Sequence, residues 1–239
     1  MPRFEIGGTP GIAVSSGLSL SGRGRKRIVR CASKRESGSP EYAGLNPERM
    51  SIRMVNYLEL PIGDRSPEVF RAVIEIPKDG TNKFEYDKQL HVFKLDRNLH
   101  SPVHYPGDYG FIPSTLSDDG DPLDVLVLVP GPSFPGCVQE VRPIGLLEMM
   151  DQGVLDEKVL AVGKNNPRYT NVWNYTDIYP HMLKEITHFF SIYKDLEGKR
   201  VEIKGWHDAA YARDRVLRAT KLFEEGKAKP VALRQKAAK

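Results

Sequence analysis

Three carboxylates stand within six residues in the run Asp119-Gly120-Asp121-Pro122-Leu123-Asp124. Negative charges this close repel one another unless cations neutralise them. An all-oxygen set without His or Cys suits a hard ion, Mg²⁺ or Mn²⁺, rather than zinc. Asp and Gly are also common turn residues, so the triplet alone fits a solvated acidic turn as well. An EF-hand fits poorly. Pro122 sits inside the would-be loop, and Pro130 occupies the place of its closing glutamate.

Other residues favour the metal reading. Glu75 interrupts the apolar run Ala72 to Pro77, where an unpartnered carboxylate is costly to bury. Asp151 and Asp156 form a second acidic pair immediately before Lys158. Lys83, Arg97, Tyr105, Tyr109, Tyr193 and Lys194 supply cationic and phenolic donors. Each alone fits a surface lysine or a core tyrosine. Carboxylates for a divalent ion, together with Lys, Arg and Tyr donors, are the parts required to transfer a phosphoryl group to water.

The elements that must position these groups show in the hydrophobic pattern. Val69 to Pro77 reads as a strand, and residues 83–87 alternate so that Lys83, Glu85 and Asp87 share one face. Further strands are expected at Val92 to Asp96, Val125 to Val129, Val138 to Leu147 and Lys158 to Val162. The Gly/Pro-rich stretch Ser101 to Pro122 reads as loop with short strands. Met182, Leu183, Ile186, Phe189, Phe190 and Tyr193 then recur at helical spacing, with Asp177 and Pro180 near the start and Gly198 beyond the end. A second helix is expected from Asp208 to Glu225, capped by Gly226. Many short strands followed by two helices imply a mainly β fold, a small barrel flanked by C-terminal helices.

The segments IEIP at Glu75, NKFEYD at Lys83 and Glu85, LDR at Arg97, and HYPGDYGFIPSTLSDDGDPLDVLVL resemble the family I soluble inorganic pyrophosphatases. MDQGVLDEK and HFFSIYKDLEGK fit the same family, and the likeness runs from about Asn56 to Phe223. The resemblance implies a five-stranded OB-like barrel with the site in its mouth, and hydrolysis of pyrophosphate to two phosphates. It implies that Asp119, Asp124 and Asp156 bind one Mg²⁺, that Asp124 helps bridge to a second, and that Asp151 with Asp156 holds metal arriving with substrate. Asp121 corresponds to the general base. Glu75, Lys83, Arg97, Lys158, Tyr193 and Lys194 match positions that hold metal-bound pyrophosphate or product phosphate, and Glu85, Tyr105 and Tyr109 line the same cavity. Some members carry a glutamate beside the residue matching Asp151, where this chain has Gln152. The amide keeps an acceptor oxygen but removes a charge.

Composition narrows the alternatives. At 239 residues and 40% apolar content the chain holds one ordinary domain and a tail. No run approaches the ~20 apolar residues that span a bilayer, so a soluble protein without membrane partners is expected. The net charge of +4 is uneven: residues 1–35 carry eight Lys or Arg and one acid, whereas the remainder carries 27 basic and 30 acidic residues. A nucleic-acid-binding module would therefore rest on the tail alone, and its groove should be basic and aromatic rather than acidic. A phosphohydrolase acting on a nucleotide or polyphosphate is the nearer rival. Cys31 and Cys137 are too few and too far apart for a disulfide framework or a cysteine zinc site.

The acid-poor, Ser- and Arg-rich residues 1–35 match a transit peptide, and Arg27 to Ser33 resembles a stromal processing site. The plastid stroma is the expected destination, with the mitochondrion as alternative. Residues 36–55 read as a linker, 56–226 as the domain and 227–239 as a basic tail. The resemblance leaves open whether the chain forms a homo-oligomer.

Overall fold

A computed structural model of the chain describes residues 55–228. The expected transit peptide, nearly all of the linker and most of the basic tail lie outside these residues. Eight strands and two helices follow one another. They are β1 (Phe70–Ile76), β2 (Asn82–Asp87), β3 (Val92–Asn98), β4 (Asp108–Phe111), β5 (Asp124–Leu128), β6 (Val138–Asp151), β7 (Val154–Gly163), α1 (Pro180–Ile192), β8 (Val201–Asp208) and α2 (Ala209–Ala228). Among the described residues no helix is long and apolar enough to cross a membrane.

The main sheet has the order β1-β4-β5-β7-β6-β8, and β1 also pairs with β6. Five strands thus run round from β1 back to β1 as an OB-like barrel, and β8 extends the ladder along β6. Strands β5 and β7 are parallel, with Asp124 beside Lys158, while the other ladders are antiparallel. Gly110 permits the β1–β4 contact, since a Cβ there would lie only 1.9 Å from the Val73 carbonyl oxygen. Strands β2 and β3 form a separate hairpin. Its Tyr86 and Phe93 pack with Val73, Phe111 and Tyr57.

Side chains alternate across a strand, and here the alternation sorts two cores. Leu126 and Leu128 of β5 and Leu160 and Val162 of β7 pack with Ile186, Phe189, Phe190 and Tyr193 around α1. Val125, Val127, Val159 and Ala161 pack instead with Ala212, Val216 and Ala219 of α2. By the same alternation Asp124, Asp156 and Lys158 belong to the α1 face.

Several expected boundaries change. Strands β6 and β7 run to a two-residue turn at Gln152-Gly153, far beyond Leu147 and before Lys158. Both turn residues have positive φ (52° and 87°), the geometry favoured in tight hairpins. Strand β8 lies unforeseen between the two helices. Asp177 serves a one-turn helix at Tyr175–Asp177 rather than α1, its carboxylate accepting from the Trp173 and Asn174 amides at 2.8 Å. Gly198, at φ 70°, ends the short turn Asp195–Glu197 rather than α1. Asp208 does start α2, accepting from the Tyr211 amide at 2.8 Å, but Gly226 lies inside that helix and caps nothing. Asp87 closes the β2–β3 turn by accepting from the Gln89 and Leu90 amides, both at 2.9 Å. Burial pushes the Cys137 thiol up, which disfavours the reactive thiolate.

Candidate active site

The floor of the site is the end of the α1 face of β5 and β7. Lys158 is only 4% exposed, and its ammonium donates to both Asp124 and Asp156. Burial alone would lower its pKa, but the two carboxylates outweigh that and hold it charged, well above the ordinary lysine value. Burial raises Asp156, with Asp124 adding to the rise and Lys158 opposing it. The Tyr109 hydroxyl donates to Asp124 Oδ2 at 2.5 Å. Burial lifts the Tyr109 and Tyr105 phenols far above their usual pKa and lifts Tyr193 as well, so all three are donors at neutral pH.

Glu75 sits at the irregularity where β1 changes register between Ile74 and Ile76. Its carboxylate accepts from the Tyr86 amide at 2.7 Å. Burial, with Asp124 nearby and only partial relief from that amide and Lys83, raises its pKa to about 8. On the hairpin, Lys83 pairs with Glu85 and lies 3.7 Å from Asp96. The acidic turn is tied by the Asp121 amide donating to Asp119 Oδ1 at 3.0 Å, and burial keeps Asp119 above the usual aspartate range. The Asp121 carboxylate is 67% exposed and lies 2.7 Å from Lys88 Nζ. From the end of α1, Lys194 reaches Asp151.

These groups surround one cleft of ≈ 310 Å³. Of the residues expected at the site, the structure brings to its wall Glu75, Lys83, Glu85, Tyr105, Tyr109, Asp119, Asp121, Asp124, Asp156, Lys158, Tyr193 and Lys194. Two do not line it. Arg97 turns to Glu197, with Nε 2.9 Å from Oε1, and to Asp96. Asp151 lies behind Lys194, with Oδ1 buried and unpartnered. Gln152, at the hairpin turn, is exposed and away from the wall, so its amide replaces no wall carboxylate.

The donor set fits divalent cations. A hollow of ≈ 20 Å³ lies among Asp119, Asp124 and Asp156, with Glu157 at its border, room for one water-sized occupant. The orphaned Asp151 oxygen and the raised Glu75, Asp119 and Asp156 mark a site short of positive charge. Among the described residues no three such side chains converge as a ready ligand set. Lys158 draws two of the carboxylates to itself instead.

Residues 72–224 match the family model described as inorganic pyrophosphatase. The chain belongs to that family. A Nostoc sp. inorganic pyrophosphatase is 50% identical over 158 residues, 66% of this chain and 94% of its own length. One from Haloferax volcanii is 50% identical over 174 residues, 72% of this chain and 98% of its own. The crystal structure of inorganic pyrophosphatase from Thermus thermophilus superposes with a TM-score of 0.70 at 45% identity, covering 71% of this chain and 99% of that one.

Two charged residues of this pyrophosphatase-family chain escaped the sequence reading. Lys88 lines the cleft opposite Asp121, and Glu197 holds Arg97. Lys88 follows the NKFEYD run directly, so its place in that segment was a signal. Glu197 lies within the HFFSIYKDLEGK run, but its partner is 100 residues away in sequence, so its role did not show there.

Proposed function

We propose that the chain hydrolyses inorganic pyrophosphate to two phosphates, with Mg²⁺ held by Asp119, Asp124, Asp151, Asp156 and Glu75. The observation that carries the proposal is the single cleft in which these acids, Asp151 lying just behind its wall, meet Lys83, Lys158, Lys194 and Tyr193. Both halves of such a surface are needed for a polyanionic substrate that arrives with divalent metal. When bound, Mg²⁺ supplies Lewis acidity and makes water a better nucleophile near neutral pH.

The chain's own groups do the remainder. A water oxygen forms the new bond to one phosphorus while the bridging P–O bond breaks. Asp121, an exposed acid of the turn, takes the proton of the attacking water. Lys83, Lys194 and Tyr193 donate to phosphate oxygens, and Arg97 joins them from the cleft edge. Preorganised donors of this kind contribute roughly 2–4 kcal/mol each in the transition state. Lys158 and Tyr109 hold Asp124 in place at the floor.

The test is phosphate release from pyrophosphate, ATP and polyphosphate, with and without EDTA. Release from pyrophosphate that stops in EDTA and returns with Mg²⁺, while Ca²⁺ supports little, is the expected result. Ca²⁺ is larger and takes more ligands. Full activity in metal-free buffer, or preference for ATP, overturns the proposal. Residues 1–35 are read further as a plastid transit peptide, supported by their acid-poor, Ser- and Arg-rich composition. A fluorescent protein fused behind them should enter plastids, and accumulation in mitochondria or the nucleus would refute that destination.

A further inference from the structure

Glu157 lies between Asp156 and Lys158 on β7, and its side chain points away from the main cleft although the residue also borders the small hollow beside Asp156. On that rear face it stands directly opposite Glu148 of β6. Like charges in this relation destabilise a sheet. Each is answered from a later element. His207 of β8 places Nε2 2.6 Å from Glu148 Oε2. Arg215 of α2 places both Nε and Nη2 2.7 Å from Glu157 Oε2. The Tyr211 hydroxyl, one turn earlier on α2, donates to Glu157 Oε1 at 3.5 Å, and its ring stacks on His207 with centroids 4.1 Å apart. The side chains of Arg215 and Glu157 are only 13% and 9% exposed. The α2 helix is thus fastened to the one residue that separates two members of the cleft floor.

We propose that Glu157 and Arg215 are positioning residues for the hydrolytic site, fixing the face and depth at which β7 presents Asp156 and Lys158. The period of two makes this a strict constraint. A slip of one residue would carry Glu157 into the cleft and Asp156 out of it. Arg215 opposes that slip, because a guanidinium anchored on α2 meets a carboxylate only on the rear face. Loss of Arg215 would also leave Glu157 buried against Glu148 with no cation. The inference rests on the reading of the cleft as a divalent-cation and pyrophosphate site. It assigns no contact with substrate to either residue.

The experiment compares wild type, Glu157→Gln, Arg215→Met, Arg215→Lys and Arg218→Ala by Mg²⁺ calorimetry, phosphate release at saturating Mg²⁺ and thermal melting. Glu157→Gln and Arg215→Met should weaken Mg²⁺ binding about tenfold and lower kcat with little change in KM, as expected when a ligand's support is removed. Arg215→Lys should recover part of the loss. Arg218, also on α2, makes only an exposed pair with Asp118 of the loop before β5, and Arg218→Ala should stay within about twofold of wild type. Variants that melt earlier yet bind Mg²⁺ like wild type would show a purely structural pair and overturn the proposal. If Arg215→Met does not fold, Glu157→Gln decides, since it keeps the shape and leaves no unpaired acid. A wild type that releases no phosphate defeats the reading of the cleft, while calorimetry still judges Glu157 and Arg215.

Discussion

The two faces of β5 and β7 are built from different chemistry. Toward α2 the strands send Val125, Val127, Val159 and Ala161, met by Ala212, Val216 and Ala219. Toward α1 the neighbours are large and often polar-tipped: Tyr105, Tyr109, Phe189, Phe190 and Tyr193 around Leu126 and Leu160. Small aliphatic residues let a helix approach closely and need no partners. Aromatic residues fill space and, as tyrosines, can deliver a hydroxyl to the cleft. The α1 face also carries Lys158, buried at the cost of desolvation and held charged by two acids. Stability alone would place a hydrocarbon there. The same period-two alternation therefore yields packing along one face and a reaction centre at the end of the other.

The comparison breaks most visibly at Asp124. Asp124→Asn should weaken Mg²⁺ binding by at least about 100-fold, because it removes a ligand rather than a ligand's support. Calorimetry and phosphate release together measure this, and an unchanged Mg²⁺ affinity would show the acidic turn to be only a solvated loop. Asp121→Asn separates base from ligand within the same turn. Turnover should fall by ~10²–10⁴ and recover as pH rises, since hydroxide partly replaces the lost base. Mg²⁺ affinity should hardly change. An affinity loss equal to that of Asp124→Asn would make Asp121 a ligand.

On the opposite face, Val127→Ala is the matched control. Val127 is fully buried among the α2-side residues, and its truncation should cost about 2 kcal/mol of stability. Turnover per folded molecule should stay at the wild-type level. Denaturant melts read the first quantity and phosphate release the second. A large fall in turnover would mean that the two faces are not separable.

Much of this division was legible in the residues. The triplet at Asp119, Asp121 and Asp124, the lone Glu75 and the period change before α1 are local signals, and the chain places them as local chemistry requires. The ends of β6 and β7 were not legible because Glu148, Asp151 and Glu157 interrupt the apolar pattern. Their partners are His207, Lys194 and Arg215, which come later in the chain. Strand β8 was overlooked although Val201 to Lys204 alternates apolar and polar: it is an added edge strand, and the alternation lasts only four residues before Gly205 breaks it. Capping by Gly226 failed as a local rule because α2 continues past it to Ala228.

The smallest expected effect tests the pair by which Glu197 holds Arg97 off the cleft wall. Its side chain is 5% exposed, with Arg97 Nε at 2.9 Å and Lys199 Nζ at 3.2 Å. Burial alone would raise its pKa, but hydrogen bonds and charge from Arg97 and Lys199 outweigh that and hold it below the usual glutamate value. A folded pKa below the unfolded one means that the unfolded chain takes up the proton first as pH falls. The stabilisation is therefore fully present above the unfolded value and is lost as pH drops through the folded one. Glu197→Gln should cost about 1 kcal/mol at neutral pH, in the range of a well-formed ion pair near the surface. The gap from wild type should narrow as pH falls through the lowered folded value, where Glu197 also becomes neutral. Urea melts of both proteins from pH 7 to pH 3 measure it, and a gap constant across that range would show that Glu197 contributes shape rather than charge. Because Arg97 keeps its guanidinium in the variant, pyrophosphate KM should move more than kcat if the pair also aims Arg97 at the cleft edge.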